Sequence, residues 1–514
     1  MRTLLATLLV SLVAQAQVPV LLHLTICGPA AWRSRIGPTN LGTMLASKNA
    51  EAIWGGYVAE IGRTLRSASG VGEKSAAERL SVFDYGGDIH IVAWLDQAED
   101  AAHLRRWSAA LIVEPDGYSD LKAMAVECQG WIKRACASAS TRWLSLELSP
   151  PRLHGGRLIT VLASAQDMDA ATERAQQYVC RSLDGTKVLL ADFDLQVALG
   201  LLRDRASQRD FVAALLGPAS KRASLAISSV GPQVAIEFGA AFSKRDGGAV
   251  RPLVPASRGI IDLDPLVPAA TATHYSWEVD FVGLWHGLTS AFAAAAERDP
   301  KRYRQRLSVA NGCDLGAALW PHVRREVVLL WRSAEGDDGM DTTPFANACL
   351  VALVRDERAL IEAVTKVLKQ RGERYQIDDD GVLWSDGSVF TLRIGFGVAC
   401  VALRDHGSEQ CEAVLGRAAK RRRVPFAPAT PPPGAPPGWN GRGRLDVTTL
   451  FTRDLYSELR WLLLVFGGMQ HLPHLIDLQA EGQRWLPLLQ RHGLDQATTV
   501  GGSTAEHWRL RILW

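Results

Sequence analysis

The chain lacks the short motifs that mark the commonest catalytic and metal sites. It has no C-x-x-C pair, which excludes a zinc ribbon and a thioredoxin-like redox centre. It has no G-x-S-x-G turn, the signature of the α/β-hydrolase nucleophile. The segment GVGEKS at 70–75 differs from a phosphate-binding loop because Glu73 separates Gly72 from Lys74. Ser119 and Lys122 have the S-x-x-K spacing of serine–lysine enzymes, but the companion motifs S-D-N and K-T-G are absent. The sequence therefore gives no complete motif for nucleotide binding or serine catalysis.

The chain also lacks an excess of charge of either sign. Its 57 Lys and Arg against 54 Asp and Glu give a net charge of +3. No basic stripe with interleaved aromatic residues accompanies that balance, so nucleic acid is not an expected partner. No heptad repeat is present, and no apolar run beyond the N-terminal segment is long enough to span a bilayer. The expected partners are therefore an unknown protein or a ligand of the cell envelope.

The first sixteen residues have the pattern of a secretory signal peptide. Arg2 supplies the positive charge, Leu4–Val13 form the apolar run, and Ala14 and Ala16 are the small residues that a signal peptidase reads. We expect cleavage after Ala16 and a secreted or periplasmic location, with no membrane span left afterwards. An uncleaved anchor and a lipoprotein attached through Cys27 are the alternatives.

Eight cysteines remain after such a cleavage, and an even number in an exported chain favours some disulfide pairing. Cys128 and Cys136 form one candidate pair, provided that Gln129-Gly130 interrupt a helix that would hold them about 12 Å apart. Cys400 at a strand end and Cys411 in the following helix form the second. Buried free thiols are the alternative for each cysteine.

His471, His474 and Asp477 form the strongest candidate group of metal ligands. Two imidazoles three residues apart can share a helix face, with the carboxylate one turn further on. Pro473 disturbs the helix that would aim them, and no fourth ligand lies near in sequence. We therefore interpret this segment as the turn at a helix entry and expect no bound metal and no cofactor.

A strand, an aspartate and a helix follow one another at four places in the chain. The clearest copy runs from Cys349–Val354 through Asp356 to a helix that Gly372 should end, because these two residues suit the N-cap and the position after the helix. The other aspartates of the pattern are Asp96, Asp167 and Asp405. Meander-like strands lie between these copies. The sequence therefore predicts an α+β protein with two related lobes, each a mostly antiparallel sheet with helices packed on one face.

Composition places the boundaries of these lobes. We predict a signal peptide at 1–16, an N-terminal lobe at 17–250, a linker at 251–270 and a C-terminal lobe at 271–514. The linker lies within the stretch from Ser243 to Ala272, which is rich in Gly and Pro and has no clear periodicity. A second Pro-rich stretch, 425–443, contains TPPPGAPPG and favours extended polyproline structure. Because helix and strand patterns resume after it, we interpret it as an insert within the C-terminal lobe.

Four segments of the C-terminal half carry a pattern-level likeness to known sequences. They are Trp277–Trp285, Gly312–Leu315, Arg325–Leu330 and Leu350–Asp356. Over residues 270–420 their layout resembles a group of uncharacterised secreted bacterial proteins with repeated α/β segments, a domain of unknown function. Cys313, Cys349 and the Pro-rich insert are not part of that pattern. The resemblance implies the fold and brings no activity with it.

The sequence favours an exported, non-catalytic protein that binds a partner or ligand in the cell envelope or outside it. This expectation rests on the lack of any nucleophile with its base and of any complete ligand set. The alternative is a secreted hydrolase whose site is assembled from scattered residues. Paired carboxylates for glycoside chemistry are available from Glu237, Asp264, Glu278 and Asp280. A structural protein of envelope assembly is a third option.

Overall fold

The computed structural model divides the chain into two compact units. It describes residues 20–53, 87–95, 107–114, 146–199, 206–217, 220–242, 248–331, 348–387, 390–421, 424–432, 435–447 and 484–514. Unit 1 consists of Met1–Pro38, Ala52–Leu201 and Arg222–Ser229, and unit 2 of Thr39–Glu51, Leu202–Lys221 and Val230–Trp514. Both units combine helices with antiparallel strands, which confirms the mixed α+β class.

The elements alternate between strand and helix along the chain. The strands are β1 (Val20–Cys27), β2 (Asp88–Leu95), β3 (Trp107–Glu114), β4 (Leu146–Leu148), β5 (Arg152–His154), β6 (Arg157–Ser164), β7 (Lys187–Asp194), β8 (Ser220–Val230), β9 (Gln233–Phe242), β10 (Thr273–Glu278), β11 (Val323–Trp331), β12 (Ala348–Val354), β13 (Gln376–Ile377), β14 (Leu383–Asp386), β15 (Phe390–Gly395), β16 (Val398–Leu403), β17 (Trp439–Asp446), β18 (Gln496–Ser503) and β19 (His507–Leu513).

Among the described residues, the longest helices lie in the C-terminal half. The helices are α1 (Pro29–Ile36), α2 (Asn40–Leu45), α3 (Met168–Gln177), α4 (Leu195–Leu199), α5 (Ala206–Leu216), α6 (Val250–Leu253), α7 (Phe281–Ala295), α8 (Pro300–Asn311), α9 (Leu315–Ala318), α10 (Glu357–Arg371) and α11 (Arg404–Lys420). Residues 48–53 and 484–491 are also helical. Within the described part of the chain, no helix combines the length and apolarity that crossing a membrane requires.

In unit 1 the sheet order is β6, β3, β2, β1, β7 and β8, with β4 and β5 both paired to β6. Every one of these pairs is antiparallel. His90 in β2 stands opposite Thr25 of β1 and Ile112 of β3. Directly opposed residues project from the same face of a sheet, so these three side chains share one face.

Helix α3 packs on that same face of unit 1. The alanines Ala171 and Ala175 contact a buried apolar cluster that lines β2, β3 and β6. Their small side chains allow the helix to approach the sheet closely, and its other side carries the polar residues. The apolar members of this cluster on the strands are Val92, Trp94, Ala110, Ile112, Ile159, Val161 and Ala163. Helix α3 ends at Gln177, and the connection that follows it, which contains Cys180, packs against the same cluster.

In unit 2 the antiparallel order is β9, β19, β18, β17, β10, β11, β12, β16, β15, β14 and β13. Helices cover both faces of its central strands. Val327 packs with Leu360 of α10, whereas the next residue, Val328, belongs to the cluster that contains Val414 of α11. Successive strand residues point to opposite faces. The expected arrangement, with helices on one face of each sheet, is therefore not confirmed in unit 2.

The predicted caps of α10 are confirmed. The carboxylate of Asp356 accepts a hydrogen bond from the backbone N–H of Ala359 at 3.0 Å, and Gly372 adopts a φ of 68° directly after the helix. Asp167 occupies the N-cap position of α3. Asp405 was predicted as a cap as well, but α11 begins one residue earlier and has Leu403 at its N-cap. That prediction is wrong by two positions, because the helix extends back to the end of β16. Asp96 lies outside the described residues.

The predicted linker and the Pro-rich insert contact each other within unit 2. Ile260, Leu263 and Leu266 of the linker are buried, and Ile261 forms an isolated antiparallel bridge with Pro428 of the insert. The end of the insert enters β17, which pairs with both β10 and β18. The described residues of both segments are therefore integrated into the packing of unit 2.

The cap at Asp356 can be tested by its contribution to stability. We expect Asp356→Ala to lower the free energy of unfolding by about 1 kcal/mol, because a backbone N–H at the start of α10 loses its acceptor. Asp379→Ala is the matched control, since Asp379 is exposed in the turn between β13 and β14. Urea titrations followed by circular dichroism measure both, and equal losses for the two variants would contradict the capping role.

Candidate functional site

Three side chains with ligand atoms converge on the helix-covered face of the unit 1 sheet. His90 lies in β2, Glu114 is the last residue of β3, and Cys180 lies in the connection between α3 and β7. One imidazole nitrogen, one carboxylate oxygen and the sulfur lie within 4.8 Å of one another. Within the described part of the chain this is the one such group of three or more. We call these three residues the His–Glu–Cys cluster.

Arg157 holds two members of the cluster in place. One guanidinium nitrogen contacts Oε1 of Glu114 at 2.8 Å, and the other donates a hydrogen bond to the backbone carbonyl of Tyr178 at 3.0 Å. Arg157 is the first residue of β6, next to the end of β3 in the sheet. The planar guanidinium can serve both acceptors at once. It therefore ties the segment that carries Cys180 to the carboxylate of Glu114.

Two further contacts anchor the same segment. The backbone N–H of Leu183 donates to the carboxylate of Asp88 at 3.1 Å, and Arg181 forms an ion pair with Asp192 at 3.3 Å. Asp88 begins β2, and Asp192 lies in β7. The connection is thus attached to strands on both sides of Cys180, which limits the positions that the thiol can reach.

A chain of hydrogen bonds leads from His90 into the sheet. Its Nδ1 lies 3.0 Å from the hydroxyl of Thr25, and that hydroxyl lies 3.1 Å from Nε2 of His23. Two proton arrangements satisfy this chain. In one, His90 donates to Thr25 and Thr25 donates to His23; in the other, both directions are reversed. The first leaves Nε2 of His90 with a free lone pair.

Nε2 of His90 is the buried atom in the cluster that lacks a hydrogen bond. The side chain is fully buried, and among the described residues Nε2 has no hydrogen-bond partner at a normal distance. Oε2 of Glu114 lies 3.5 Å away, at the limit of any useful interaction. A buried nitrogen without a partner destabilises the fold by about 1–3 kcal/mol. Glu114 is therefore a distant partner that raises the pKa of His90 only in part against burial, and a group placed between the two would satisfy both atoms better.

Burial keeps both histidines neutral at pH 7. It lowers the pKa of His90 from 6.5, although the nearby charges of Glu114 and Asp88 act in the opposite direction. Burial and then the neighbouring His90 lower the pKa of His23 in the same way. A neutral imidazole is the form that binds a metal ion.

Burial and then the negative charge of Glu114 raise the pKa of Cys180 to about 12. The thiol is therefore protonated at neutral pH and is a weak nucleophile as it stands. This disfavours thiol catalysis by Cys180 alone. A cation placed between the sulfur and the carboxylate would reverse the effect, because it stabilises the thiolate directly.

The structure brings the predicted pair Cys400 and Cys411 into one buried core cluster in unit 2 and adds a third cysteine. The sulfur of Cys349 lies 3.6 Å from that of Cys411. Sequence analysis missed this neighbour because β12 and β16 are distant along the chain and become adjacent only in the sheet. No disulfide joins the described cysteines, which are all free thiols: Cys27, Cys180, Cys313, Cys349, Cys400 and Cys411.

Five of the remaining predicted site residues lie in segments that the structure does not describe. His471, His474, Asp477, Cys128 and Cys136 lie outside the described residues, as does the signal sequence at 1–16. Their predicted roles stay predictions.

The four carboxylates considered for glycoside chemistry have structural partners. Asp280 caps α7 by accepting the N–H of Gly283 at 3.2 Å, and Glu237 accepts a hydrogen bond from Arg511 at 2.8 Å. Asp264 contacts Arg442 at 2.6 Å, and Glu278 accepts the N–H of Arg258 at 3.0 Å. Asp280 is therefore a capping group, and Glu237 and Asp264 are paired with arginines. Glu278 is a buried carboxylate held by a backbone N–H, and burial raises its pKa.

Sequence analysis missed the His–Glu–Cys cluster because its members are far apart along the chain. One local signal was available. His90 interrupts the apolar strand Ile89–Leu95 at a position that alternation assigns to the same face as Val92 and Trp94. Nothing in that pattern identifies Glu114 or Cys180 as its neighbours.

The assignment of a function depends on the side chains of this chain, because the comparisons give no guide. Comparison of the chain with protein-family models, with curated proteins and with solved structures gave no match. The His–Glu–Cys cluster combines convergence, burial and an unsatisfied nitrogen, and these three properties are the basis of the proposal that follows.

The lowered pKa values of His23 and His90 predict a loss of stability in acid. The unfolded chain binds protons more tightly at these residues, so stability present above about pH 6.5 is lost as the pH falls below it. In chelator-containing buffer, we expect the melting temperature of His90→Phe to fall less than that of the wild type between about pH 7.5 and 5.5. His154→Ala, which removes an exposed histidine, should keep the wild-type slope. Identical slopes for all three proteins would contradict the assignment.

Proposed function

We propose that this chain is an exported protein that binds a divalent metal ion, with zinc as the best fit, through Nε2 of His90, Oε2 of Glu114 and the sulfur of Cys180. The observation that carries the proposal is the fully buried Nε2 of His90, which has no hydrogen bond and faces the other two donors. A metal ion would give this nitrogen its missing partner. The export of the chain rests on the N-terminal sequence pattern.

The spacing of the donors suits a tetrahedral ion. Zinc bonds of about 2.0–2.3 Å place the ligand atoms of a tetrahedron roughly 3.3–3.8 Å apart. The nitrogen of His90 and the oxygen of Glu114 are separated by 3.5 Å, and the sulfur of Cys180 lies within 4.8 Å of both. A small rotation of the cysteine side chain would complete the geometry. Nitrogen, oxygen and thiolate together form a donor set that zinc accepts readily.

The charges at the cluster favour a cation with two positive charges. Glu114 is negative, and binding would displace the proton of the Cys180 thiol, so the ligands would supply two negative charges in all. Arg157 contacts Oε1 of Glu114 and leaves Oε2 directed at His90. The arginine thus orients the carboxylate without occupying the oxygen that the metal needs.

Thr25 and His23 are suited to act as the outer shell of this centre. A metal at Nε2 of His90 selects the arrangement in which Nδ1–H donates to Thr25, whose hydroxyl then donates to His23. A hydrogen bond of this kind fixes the ring and raises the basicity of the ligating nitrogen. The hydroxyl of Thr25 therefore positions a ligand rather than being one.

The state of the thiol is compatible with an oxidising compartment. A thiol with a raised pKa exchanges slowly with disulfides, because the thiolate is the reactive form. Cys180 in the metal-free chain has such a pKa. It could persist as a free ligand after export, and bound metal would protect it further.

We also retain the proposal that the two units are related copies of one α+β plan. It is supported by the order of strand, aspartate and helix in each unit. In unit 1 the order is β6, Asp167 and α3, and in unit 2 it is β12, Asp356 and α10. An aspartate at the N-cap position between a strand and a helix recurs in both, although only Asp356 caps its helix through the side chain.

A secreted hydrolase is the second candidate function. One observation favours it: the cluster supplies three protein ligands, and a tetrahedral ion would keep its fourth position for water. Zinc held by these three residues would supply hydrolytic chemistry by lowering the pKa of a water molecule to about 7. The carboxylate of Glu114 is one-quarter exposed, which would connect the centre to solvent.

Zinc binding by the purified full chain tests the proposal. We expect one equivalent to bind, measured by calorimetry, and Cys180→Ser, His90→Gln and Glu114→Gln each to weaken binding by at least about 100-fold, because a ligand contributes more than an outer-shell partner. Thr25→Val should weaken it by roughly tenfold through loss of the outer-shell bond. Cobalt should show a thiolate charge-transfer band that disappears in Cys180→Ser.

The matched controls are Cys313→Ser and His154→Ala, which alter a thiol in unit 2 and an exposed histidine in β5. Both should bind zinc as the wild type does. Circular dichroism of every variant shows whether it is folded. Unchanged zinc affinity in all three folded ligand variants would reject the proposal.

The affinity for zinc should also rise with pH. The Cys180 thiol, whose pKa is raised to about 12 in the metal-free chain, must lose its proton when the metal binds. One proton released per ion makes the apparent affinity increase about tenfold per pH unit through the neutral range. Calorimetry in buffers of different ionisation enthalpy counts the proton directly. No proton release would exclude the thiolate as a ligand.

A further inference from the structure

A separate cavity lies in unit 2, where the end of β12, the turn between β15 and β16 and the last turn of α11 meet. Its volume is about 380 Å³, which falls within the range of small-molecule pockets, roughly 300–1,000 Å³. Apolar side chains form most of the wall, among them Leu353, Phe396 and Phe426. Among the described lining residues, the charged ones are Arg324 and Arg421, and none is acidic.

Among the described residues, none accepts a hydrogen bond from the side chain of Arg421. It occupies the residue directly after α11, and its guanidinium lies 5.5 Å from the centre of the Phe426 ring. Its Nε is buried and has no hydrogen bond. Stacking on an aromatic face holds the charged group in place but leaves its donors unused. A partly buried guanidinium in this state favours an anion that can accept from it.

Arg324 adds a second positive charge to the same cavity. It lies near the start of β11 and is exposed, so its charge remains hydrated until a ligand arrives. Arginine donors form a planar fork that matches the two oxygens of a carboxylate. Two arginines on separate elements can therefore contact one carboxylate from different directions.

Phe396 contributes an aromatic ring to the apolar wall from a turn position that does not favour a bulky residue. It has a φ of 54°, and Gly397 has a φ of 80°. Two-residue turns of this kind favour Asn and Gly, since a bulky side chain is strained at positive φ. The strain is tolerated here while the ring lines the cavity and packs against the core cluster below it. Strained residues of this kind often mark functional positions.

We infer that this cavity binds a small organic carboxylate with an apolar body, such as a medium-chain fatty acid. The carboxylate contacts Arg421 and Arg324, and the apolar body lies against Phe396 and Leu353. Both halves of the ligand are needed, because the arginines supply charge recognition and the wall supplies burial of apolar surface. The site lies within unit 2 and does not depend on the His–Glu–Cys cluster.

Calorimetry of the full chain with decanoate tests the inference. We expect saturable binding of one decanoate. Decyltrimethylammonium has the same chain length with the opposite charge and should not bind. Acetate has the same charge without the apolar chain and should neither bind nor compete. Equal binding of decanoate and decyltrimethylammonium, or binding that does not saturate, would overturn the inference in favour of non-specific apolar adsorption.

Variants of the two arginines locate the binding. Arg421→Gln and Arg324→Gln should each weaken decanoate binding by at least about tenfold, because each removes a charge-assisted contact to the carboxylate. Arg358→Gln makes the same change of charge at an exposed residue of α10 that pairs with Glu362, and it should bind as the wild type does. Circular dichroism checks folding, and Arg324→Gln decides the matter if Arg421→Gln fails to fold. Wild-type affinity in the folded arginine variants would place the ligand elsewhere.

Discussion

The antiparallel register of β1, β2 and β3 is the constraint on which the candidate metal centre depends. It sets His90 opposite Thr25 on one side and Ile112 on the other, and it sets Asp88 opposite Glu114. The side-chain period of a strand is two, so a slip of one residue would turn His90 to the other face of the sheet. The apolar cluster under α3 opposes such a slip, because it would expose the buried residues on the same strands. Apolar packing therefore fixes the polar geometry.

The position of the polar residues relative to α3 has a physical reason. The helix covers the apolar part of its face, where Ala171 and Ala175 allow close packing. The polar residues of this sheet face lie beyond the end of α3, and the segment around Cys180 packs next to them. An irregular segment can satisfy polar groups through its backbone, as the carbonyl of Tyr178 does with Arg157. The contacts that satisfy these polar groups also position the thiol of Cys180 near His90.

In unit 2, helices cover both faces of the central strands. A sequence pattern does not show which helix covers which face. Apolar runs such as Ala348–Val354 lack alternation because α10 and α11 cover opposite faces of the central strands. A run of this kind indicates a buried strand without indicating which helix covers which face. The pattern therefore predicted the strands and the caps of α10 correctly, whereas the single covered face was not confirmed. Phe396 is a related case, since turn chemistry predicts the turn but gives no reason for the aromatic residue.

The sequence by itself determined the features that arise from neighbours along the chain. These are the mixed α+β class, the antiparallel strands joined by turns, and the helix boundaries at Asp356 and Gly372. Only the tertiary structure decided which distant residues meet: His90 with Glu114 and Cys180, and Cys349 with Cys400 and Cys411. Caps and turns depend on backbone groups within a few residues, so their signals are local. The meeting of distant side chains depends on strand order and register, which arise from the burial of the whole apolar surface at once.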